Sequence, residues 1–224
     1  MTKTGSSRQF VISCPIPAGA DVAKRAFDVL VASTLLVILA LPMLALAIWI
    51  RLDSPGPALF RQERVGMNGR TFHIHKFRTM RVEQQGSALT AAGDQRITRV
   101  GRWIRERRLD EWPQLIDVLC GQMSLVGPRP EVPQYVALYP QELRELILSV
   151  RPGITDPAAL AFRDEGRILA LSSEPERTYV EEVLPAKLRL QADYLQRASL
   201  VSDLQVLWST LSVVWGRAQS SRLP

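Results

Sequence analysis

The sequence is poor in the residues that build disulfide frameworks and soft-metal sites. Its 224 residues include only two cysteines and two histidines. Cys14 and Cys120 lie far apart and neither belongs to a CxxC pair, which excludes a disulfide-stapled scaffold and fits a reducing compartment. His73 and His75 stand two apart in a predicted strand, where such a pair is more commonly one exposed strand face than a metal site. The sequence therefore gives no indication of a structural metal centre.

Charge of one sign predominates: 28 Lys and Arg residues against 22 Asp and Glu residues give a net charge of +6. A basic chain of this kind is compatible with nucleic acid, anionic lipid or an anionic substrate as its partner. One long uncharged apolar run, residues 29–50, is long enough to span a bilayer. Its late start, its length and the lack of a small-residue cleavage site exclude an ordinary signal peptide. The sequence thus favours a membrane protein over a nucleic-acid binder.

The course of this apolar segment has two interpretations. Pro42, in its second half, removes a backbone hydrogen bond and should kink the helix. Basic residues flank the segment on both sides, including Lys24, Arg25 and Arg51, whereas a spanning helix normally has one flank depleted of them. A re-entrant helix that breaks at Pro42 and returns to the same face satisfies both observations. A plain span with a cytoplasmic globular part is the alternative, because membrane helices tolerate proline.

Patterning divides the chain into a mobile N-terminal tail (1–20), a membrane helix (21–52), a globular domain (53–216) and a C-terminal tail (217–224). Asn68-Gly69 between two strand-like segments is a strong hairpin signal. Helical periodicity starts near Ile97, with Val100 and Ile104 spaced for one buried stripe, and residues 179–191 and 195–215 also look helical. The predicted fold is mixed α/β and mostly helical. The last amphipathic stretch either packs in the core or lies on the membrane surface, and the surface is favoured.

Two adjacent carboxylates, Asp110 and Glu111, are the strongest candidates for chemistry. Pro113 suits a first helical turn and Gly121 a helix end, so Asp110 is predicted to lie at or near a helix N-cap. Aspartate is a favoured N-cap in any protein, which is the purely structural interpretation. The functional interpretation is that the helix terminus keeps the carboxylate ionised for attack on phosphorus. Adjacent carboxylates also suit Mg²⁺, which prefers hard oxygen ligands and bridges to substrate phosphates.

Positive charge for a phosphate site is available nearby. Arg105 lies on the helix that precedes the two carboxylates, and Arg129 lies between two prolines. A planar guanidinium meets phosphate oxygens bidentately, so both are natural phosphate ligands. Taken singly, each arginine is more commonly a surface or ion-pair residue, and the arginine run at 99–108 is typical of a solvated helix face.

An ordered set of motifs runs through nearly the whole chain outside its tails. In order these are KRAFDV at 24–29, SPGPALFRQERVG at 54–66, KFRTM at 76–80, RITRVGRWIR at 96–105, LDEWPQL at 109–115, GQMSLVGPRPE at 121–131 and RPGIT at 151–155. One such motif would be a weak signal, but this many in one order are highly specific. The chain resembles the bacterial sugar transferase family, the monotopic phosphoglycosyl transferases of the polyprenyl-phosphate type.

The resemblance implies a re-entrant helix and a catalytic domain on the cytoplasmic face of the bacterial inner membrane. It implies transfer of a sugar-1-phosphate from a UDP-sugar to undecaprenyl (polyprenyl) phosphate, with Mg²⁺ as cofactor and UMP as the product released. This would be the first membrane step of exopolysaccharide, capsule, lipopolysaccharide or other glycoconjugate synthesis. By likeness, Asp110 is the nucleophile of a ping-pong reaction, and Glu111 assists by holding Mg²⁺ or by deprotonating the acceptor.

Four basic residues match the family around the substrate. Arg105 and Arg129 match arginines at the phosphate site, and Lys76 and Arg78 match the basic KFR motif, so all four are predicted to bind substrate phosphate. The implied partners are the UDP-sugar, polyprenyl phosphate and membrane lipid, with no nucleic acid. The sugar, the pathway and the oligomeric state, including a homodimer, stay open.

The chain departs from the family pattern at a few positions. Family members commonly have Gly at the place of Asp156, Asn at Asp117 and an acidic residue at Gln191, whereas here the acid Asp193 precedes Tyr194. These departures bear on the sugar and on any C-terminal site residues more than on the reaction class.

Three other functions are weighed against transfer of a phosphosugar. A non-catalytic, membrane-anchored binding or scaffold protein of the same fold is the alternative, and the intact dyad counts against it. A nucleic-acid module would rest on the arginines at 99–108, but the apolar segment and the dyad disfavour it. An ordinary glycosyltransferase would release a nucleoside diphosphate instead of UMP.

Overall fold

The computed structural model describes the backbone of residues 18–82 and 94–214. The predicted N-terminal tail (1–20), apart from its last three residues, and the predicted C-terminal tail (217–224) lie outside the described residues. The described part is rich in helices and carries two small pairs of strands, which confirms the mixed, mostly helical fold.

The helices and strands alternate irregularly along the chain. The helices are α1 (Ala18–Asp53), α2 (Arg99–Glu106), α3 (Gln114–Leu119), α4 (Pro133–Val136), α5 (Gln141–Ile147), α6 (Pro157–Ala161), α7 (Glu165–Ala170), α8 (Pro175–Thr178), α9 (Leu184–Gln196) and α10 (Leu200–Val214). The strands are β1 (Leu59–Val65), β2 (Thr71–Phe77), β3 (Ser124–Val126) and β4 (Gly153–Thr155). A 3₁₀ turn spans Leu109–Glu111, between α2 and α3.

The predicted hairpin is confirmed. Strands β1 and β2 pair antiparallel, from Leu59 opposite Phe77 to Val65 opposite Thr71. Asn68 and Gly69 have φ angles of 57° and 74°, the left-handed conformation that a tight hairpin connection requires. Because side chains alternate along a strand, Lys76 shares a face of β2 with the buried Phe72 and Ile74.

The second pair of strands holds two distant loops together. Strands β3 and β4 are parallel, with Ser124 opposite Gly153 and Val126 opposite Thr155. Backbones approach closely here, because a Cβ atom at Gly153 would overlap the backbone of Gly127. The loops that leave the two strands, beginning at Gly127 and Asp156, therefore run side by side.

Both ends of α1 are attached to the rest of the chain. Near its start, Lys24 Nζ donates to the carbonyl oxygen of Val126 over 2.9 Å and also pairs with Asp203. One turn later, Asp28 accepts a 3.2 Å hydrogen bond from the backbone N–H of Leu125. Near its end, Leu46 and Ile50 are buried with Phe77, Val100 and Ile104 in a separate apolar cluster. The KRAFDV motif thus fastens the start of the helix to β3.

The middle of α1 is apolar and exposed. Residues 21–53 form a helix long and apolar enough to cross a membrane. Large apolar side chains near Pro42, such as Val37 and Leu41, are both 79% exposed. Pro42 lies inside one continuous helix, and the break at Pro42 that returns the segment to the same face stays a prediction. A membrane helix tolerates such a proline when neighbouring groups satisfy the carbonyl that it leaves free.

Helix α2 begins at Arg99, close to its predicted start, and lies against Thr79 of the KFRTM motif, just after β2. Thr98 caps it by accepting a 2.9 Å hydrogen bond from the N–H of Gly101, and Val100 and Ile104 are buried. A Cβ atom at Gly101 would overlap the backbone of Thr79, so glycine permits this close approach. The contact brings Arg105, on the next turn, within 3.4 Å of the Thr79 hydroxyl.

Helix α10 packs with one face and exposes the other. Asp203 and Val206 are buried, and Thr210 shares a 2.9 Å hydrogen bond with Thr155 in β4. The opposite face exposes large apolar side chains at Leu200, Val201, Leu204, Trp208 and Leu211. One face of this amphipathic helix therefore packs in the core, and the membrane-surface position of the other face stays a prediction.

Candidate active site

A left-handed residue positions the carboxylate dyad. Arg108, which follows α2, has a φ of 54°, a conformation that ends many helices but is usually taken by glycine. The chain then turns into the 3₁₀ turn that contains Asp110 and Glu111. The sequence predicts Asp110 at or near a helix N-cap, and it lies three residues before Pro113, which itself occupies the N-cap position of α3. The dyad lies in a tight turn fixed by α2 on one side and α3 on the other.

Glu111 is held by two cations. The guanidinium of Arg129 donates to both carboxylate oxygens of Glu111, over 3.2 Å from Nη1 and at shorter range from Nη2. Lys76 Nζ lies 3.5 Å from Glu111 Oε1. The side chains of Lys76, Arg129 and Glu111 are mostly buried, which strengthens these charge-assisted contacts. The structure therefore brings three predicted site residues into one cluster.

Asp110 has a different environment. Among residues 21–82 and 94–213, no hydrogen bond or ion pair involves its carboxylate. Burial and the neighbouring Glu111 raise the pKa of Asp110, while the charges of Lys76, Arg105 and Arg129 oppose the rise. Asp110 is thus a carboxylate with open lone pairs in a site surrounded by positive charge.

The pKa values of the two carboxyl groups of the dyad are shifted in opposite directions, that of Asp110 upward and that of Glu111 downward. Burial alone would raise the pKa of Glu111, but Arg129 and Lys76 outweigh burial and hold it well below its usual range. Burial also lowers the pKa of Lys76, although Glu111 opposes that shift. Divergent environments for two adjacent acids commonly mark a division of roles in an active site.

Arg105 and Arg78 take separate places. Arg105 lies close enough to Asp110 to favour its ionised form, and it contacts Thr79. Arg78 is only 5% exposed and donates to the carbonyl oxygens of Ser54, over 2.7 Å, and Pro55, just after α1. The structure thus brings Arg105 to the dyad and places Arg78 at the end of α1.

Two buried aspartates, Asp156 and Asp117, hydrogen-bond to the segments that carry Arg129 and Lys76. Asp156 is fully buried and accepts a 2.9 Å hydrogen bond from the backbone N–H of Arg129. Asp117, also fully buried, accepts from the backbone N–H of His75 over 2.9 Å and from its ring Nδ1 over 2.6 Å. His75 precedes Lys76, so Asp117 ties this part of β2 to α3. The imidazole ring of His75 therefore has a carboxylate as its hydrogen-bond partner.

The dyad has the donor set that magnesium uses. In residues 21–82 and 94–213, no group of three or more His, Cys, Asp and Glu side chains is arranged to hold a metal ion. Mg²⁺, however, needs only one or two carboxylates when substrate phosphates and water complete its octahedron. Both oxygens of Glu111 already accept from Arg129, so Asp110 offers the more open oxygens. The residues present are compatible with a metal shared between Asp110 and a substrate.

A second cluster of buried charges lies directly after Arg129 in the chain. Glu131 accepts hydrogen bonds from the Tyr179 hydroxyl over 2.6 Å and from Lys187 Nζ over 3.0 Å, and Arg64 lies 3.3 Å away. Lys187 also pairs with Glu165 at 3.1 Å. Burial would raise the pKa of Glu131, but Lys187 and Arg64 outweigh it and hold the value at about 2.

This cluster predicts an acid-sensitive contribution to stability. Because the pKa of Glu131 falls on folding from 4.5 to about 2, its contribution is present above pH 4.5 and is lost as the pH falls toward 2. The shift corresponds to about 3 kcal/mol. In Glu131→Gln we expect the free energy of unfolding to vary less between about pH 5 and 2. Denaturant titrations across this range measure the slope, with the exposed Glu142→Gln as control; an unchanged slope in Glu131→Gln would contradict the assignment.

The chain matches a known family and several known proteins over most of its length. The family described as bacterial sugar transferase matches residues 19–217. The chain is 39% identical over 202 residues to the UDP-glucose:undecaprenyl-phosphate glucose-1-phosphate transferase of Caulobacter vibrioides, covering 88% of this chain and 72% of that protein. It is 36% identical over 197 residues to the UDP-N-acetylgalactosamine-undecaprenyl-phosphate N-acetylgalactosaminephosphotransferase of Aeromonas hydrophila, covering 85% of this chain but only 43% of that protein.

A third relative is matched over nearly its whole length. An exopolysaccharide production protein of Rhizobium leguminosarum bv. phaseoli is 36% identical over 200 residues, covering 85% of this chain and 94% of that protein. The relatives differ in the sugar that their names give, while undecaprenyl phosphate recurs as the acceptor. With the family match extending over most of its length, the chain belongs to the bacterial sugar transferase family.

Proposed function

We propose that this protein transfers a sugar-1-phosphate from a UDP-sugar to undecaprenyl phosphate through a covalent phosphosugar–Asp110 intermediate. The observation that carries the proposal is the open carboxylate of Asp110, which is half-buried beside the positive charges of Lys76, Arg105 and Arg129. The substrate class comes from the relatives, whose names specify UDP-sugars and undecaprenyl phosphate. An anionic nucleophile can approach an anionic pyrophosphate only where cations offset the repulsion between them.

The first half-reaction forms the intermediate. An oxygen of Asp110 attacks the phosphorus that bears the sugar, the bond from this phosphorus to the bridging oxygen breaks, and UMP leaves with the electron pair. Lys76, Arg105 and Arg129 stabilise the charge that develops on the phosphoryl oxygens. Mg²⁺ bound by Asp110 and the substrate phosphates would neutralise further charge on the pyrophosphate.

The second half-reaction releases the product. A phosphate oxygen of undecaprenyl phosphate attacks the same phosphorus, the acyl–phosphate bond to Asp110 breaks, and the Asp110 carboxylate is regenerated. We assign Glu111 the role of a fixed anion that holds Arg129 and Lys76 in place. Its lowered pKa makes it a weak base, whereas a general base works best when its pKa lies near the working pH.

We also propose that α1 enters the cytoplasmic leaflet and returns to the same face. Support comes from its two ends, which contact one folded body: Lys24 binds the carbonyl of Val126, and Ser54, just after the helix, binds Arg78. A span would carry one end across roughly 30 Å of hydrocarbon and separate these contacts. The exposed apolar face of α10, with Trp208, then suits the surface of the same leaflet.

Thiol labelling tests the course of α1. In a variant with Cys14 and Cys120 changed to serine, single cysteines at Val22 and Leu52 would mark the two helix ends, which are both exposed. We expect a membrane-impermeant reagent to label both only after the inner membrane is opened, as it does a control cysteine at the exposed Asp193. Labelling of Val22→Cys in intact spheroplasts would instead establish a plain span.

Nucleotide release tests the reaction class. Detergent-solubilised protein with undecaprenyl phosphate, Mg²⁺ and a panel of UDP-sugars is expected to release UMP with at least one sugar, which would also identify the donor. Release of UDP would mean transfer of the sugar alone and would refute the covalent mechanism. UDP-sugar binding without any nucleotide release would support the alternative, a non-catalytic scaffold of the same fold.

A further inference from the structure

A buried polar cluster centred on Asp156 contacts the backbone of Arg129. Asp156 is fully buried and accepts hydrogen bonds from the backbone N–H of Arg129 (2.9 Å), the backbone N–H of Ala159 and the side-chain Nε2 of Gln191 (2.7 Å). Gln191, on α9, is itself only 2% exposed. A buried carboxylate with this many donors is firmly oriented, because each hydrogen bond restricts its rotation.

The same segment holds both parts of Arg129. Its guanidinium donates over 3.1 Å to the carbonyl oxygen of Ile154, two residues before Asp156, while its backbone N–H donates to Asp156 itself. Pro128 and Pro130 flank Arg129 and restrict the backbone on either side. The junction of β4 and α6 therefore fixes the direction in which Arg129 reaches Glu111.

The neutral amide of Gln191 is a suitable hydrogen-bond partner for the carboxylate of Asp156. The amide of Gln191 donates to Asp156, whereas a carboxylate at position 191 would place two like charges within hydrogen-bond distance in a buried site. Asp156 and Gln191 together therefore contribute one negative charge to the cluster.

We propose that Asp156 and Gln191 form a positioning pair that sets Arg129 for stabilisation of the phosphoryl group during attack by Asp110. The inference rests on the proposed function, because Arg129 is the residue through which the pair acts. A displacement of about 1 Å at a catalytic group can lower a rate on the order of a hundredfold.

Burst kinetics test the positioning role. With UDP-sugar and no acceptor, the wild-type protein should release one UMP per active molecule, so the burst amplitude counts active enzyme and the burst rate constant reports the attack by Asp110. We expect Asp156→Asn and Gln191→Glu each to lower the rate constant about 10- to 100-fold at unchanged amplitude. Added to Arg129→Ala, which removes the guanidinium through which the pair acts, Asp156→Asn should lower the rate constant no further.

The controls separate positioning from folding. Gln196→Glu makes the same change at an exposed position of α9 and should leave the burst intact. A lower amplitude with a normal rate constant would show a purely structural role and overturn the proposal. A further fall in the rate constant when Asp156→Asn is added to Arg129→Ala would overturn it as well. A wild-type protein without any UMP burst would instead refute the covalent function on which the inference rests.

Discussion

Asp110→Asn should abolish the first half-reaction, with a fall in the rate of UMP formation of about 10⁴-fold or more. Asparagine has nearly the same shape, but its neutral amide cannot form the bond to phosphorus. The surrounding cations, Lys76, Arg105 and Arg129, would still bind the UDP-sugar, so binding should survive the loss of turnover. Rapid-quench measurement of UMP and intact mass of the protein would report the rate and the phosphosugar adduct together.

A control variant and an assay with the acceptor present test the role of Asp110 further. Asp193→Asn removes an exposed carboxylate of α9 and should retain full activity and the adduct. Substantial UMP formation by Asp110→Asn in the presence of undecaprenyl phosphate would show direct transfer between the substrates and would remove Asp110 as the nucleophile. Because burial and Glu111 raise the pKa of Asp110, the wild-type rate should also fall at acidic pH as the carboxylate becomes protonated.

Local patterns in the sequence predict the elements that carry the site. Asn68-Gly69 predicts the hairpin because few other residues accept two successive left-handed conformations. Val100 and Ile104 predict α2 because their spacing places both on one buried face. Neighbours in sequence within a regular element have a fixed geometry, so Lys76, on the buried face of β2, is also predictable.

The position of the Arg78 side chain cannot be predicted from the alternation of side chains along a strand. Alternation would place Arg78 on the same face as Lys76, two residues before it. Strand β2, however, ends at Phe77, and the backbone N–H of Arg78 bonds the carbonyl of Ala58. Beyond the paired strands alternation no longer determines direction, and the buried guanidinium instead binds carbonyls that follow α1.

Contacts between distant segments are the part that one sequence cannot supply. Asp156 meets Arg129 from 27 residues away, and Asp117 meets His75 from 42 residues away. No local periodicity encodes these pairs, because they depend on how β3 lies beside β4 and how α3 packs on β2. The sequence marks Asp156 and Asp117 only as unusual residues, while their role in supporting the cluster follows from the fold.

Arg129→Ala should impair both stability and catalysis. It removes the bidentate partner of Glu111, whose side chain is 14% exposed, and leaves that buried carboxylate with Lys76 alone. Loss of one member of such a buried pair costs about 3–5 kcal/mol of unfolding free energy. Loss of a cation that stabilises transition-state charge should lower the rate of UMP formation about 10²- to 10³-fold.

A second substitution separates these two effects. In Arg129→Ala/Glu111→Gln the unpaired carboxylate is gone but Lys76 loses its ion-pair partner, so we expect part of the lost stability to return while the rate stays low. Arg129→Lys should fold well yet remain slow, because a point charge cannot reproduce the planar fork that binds two oxygens. Denaturant titration in detergent and UMP release measure the two quantities on the same samples. Recovery of the rate together with stability in the double variant would show that Arg129 supports the fold alone and that Lys76 and Arg105 suffice for the phosphate.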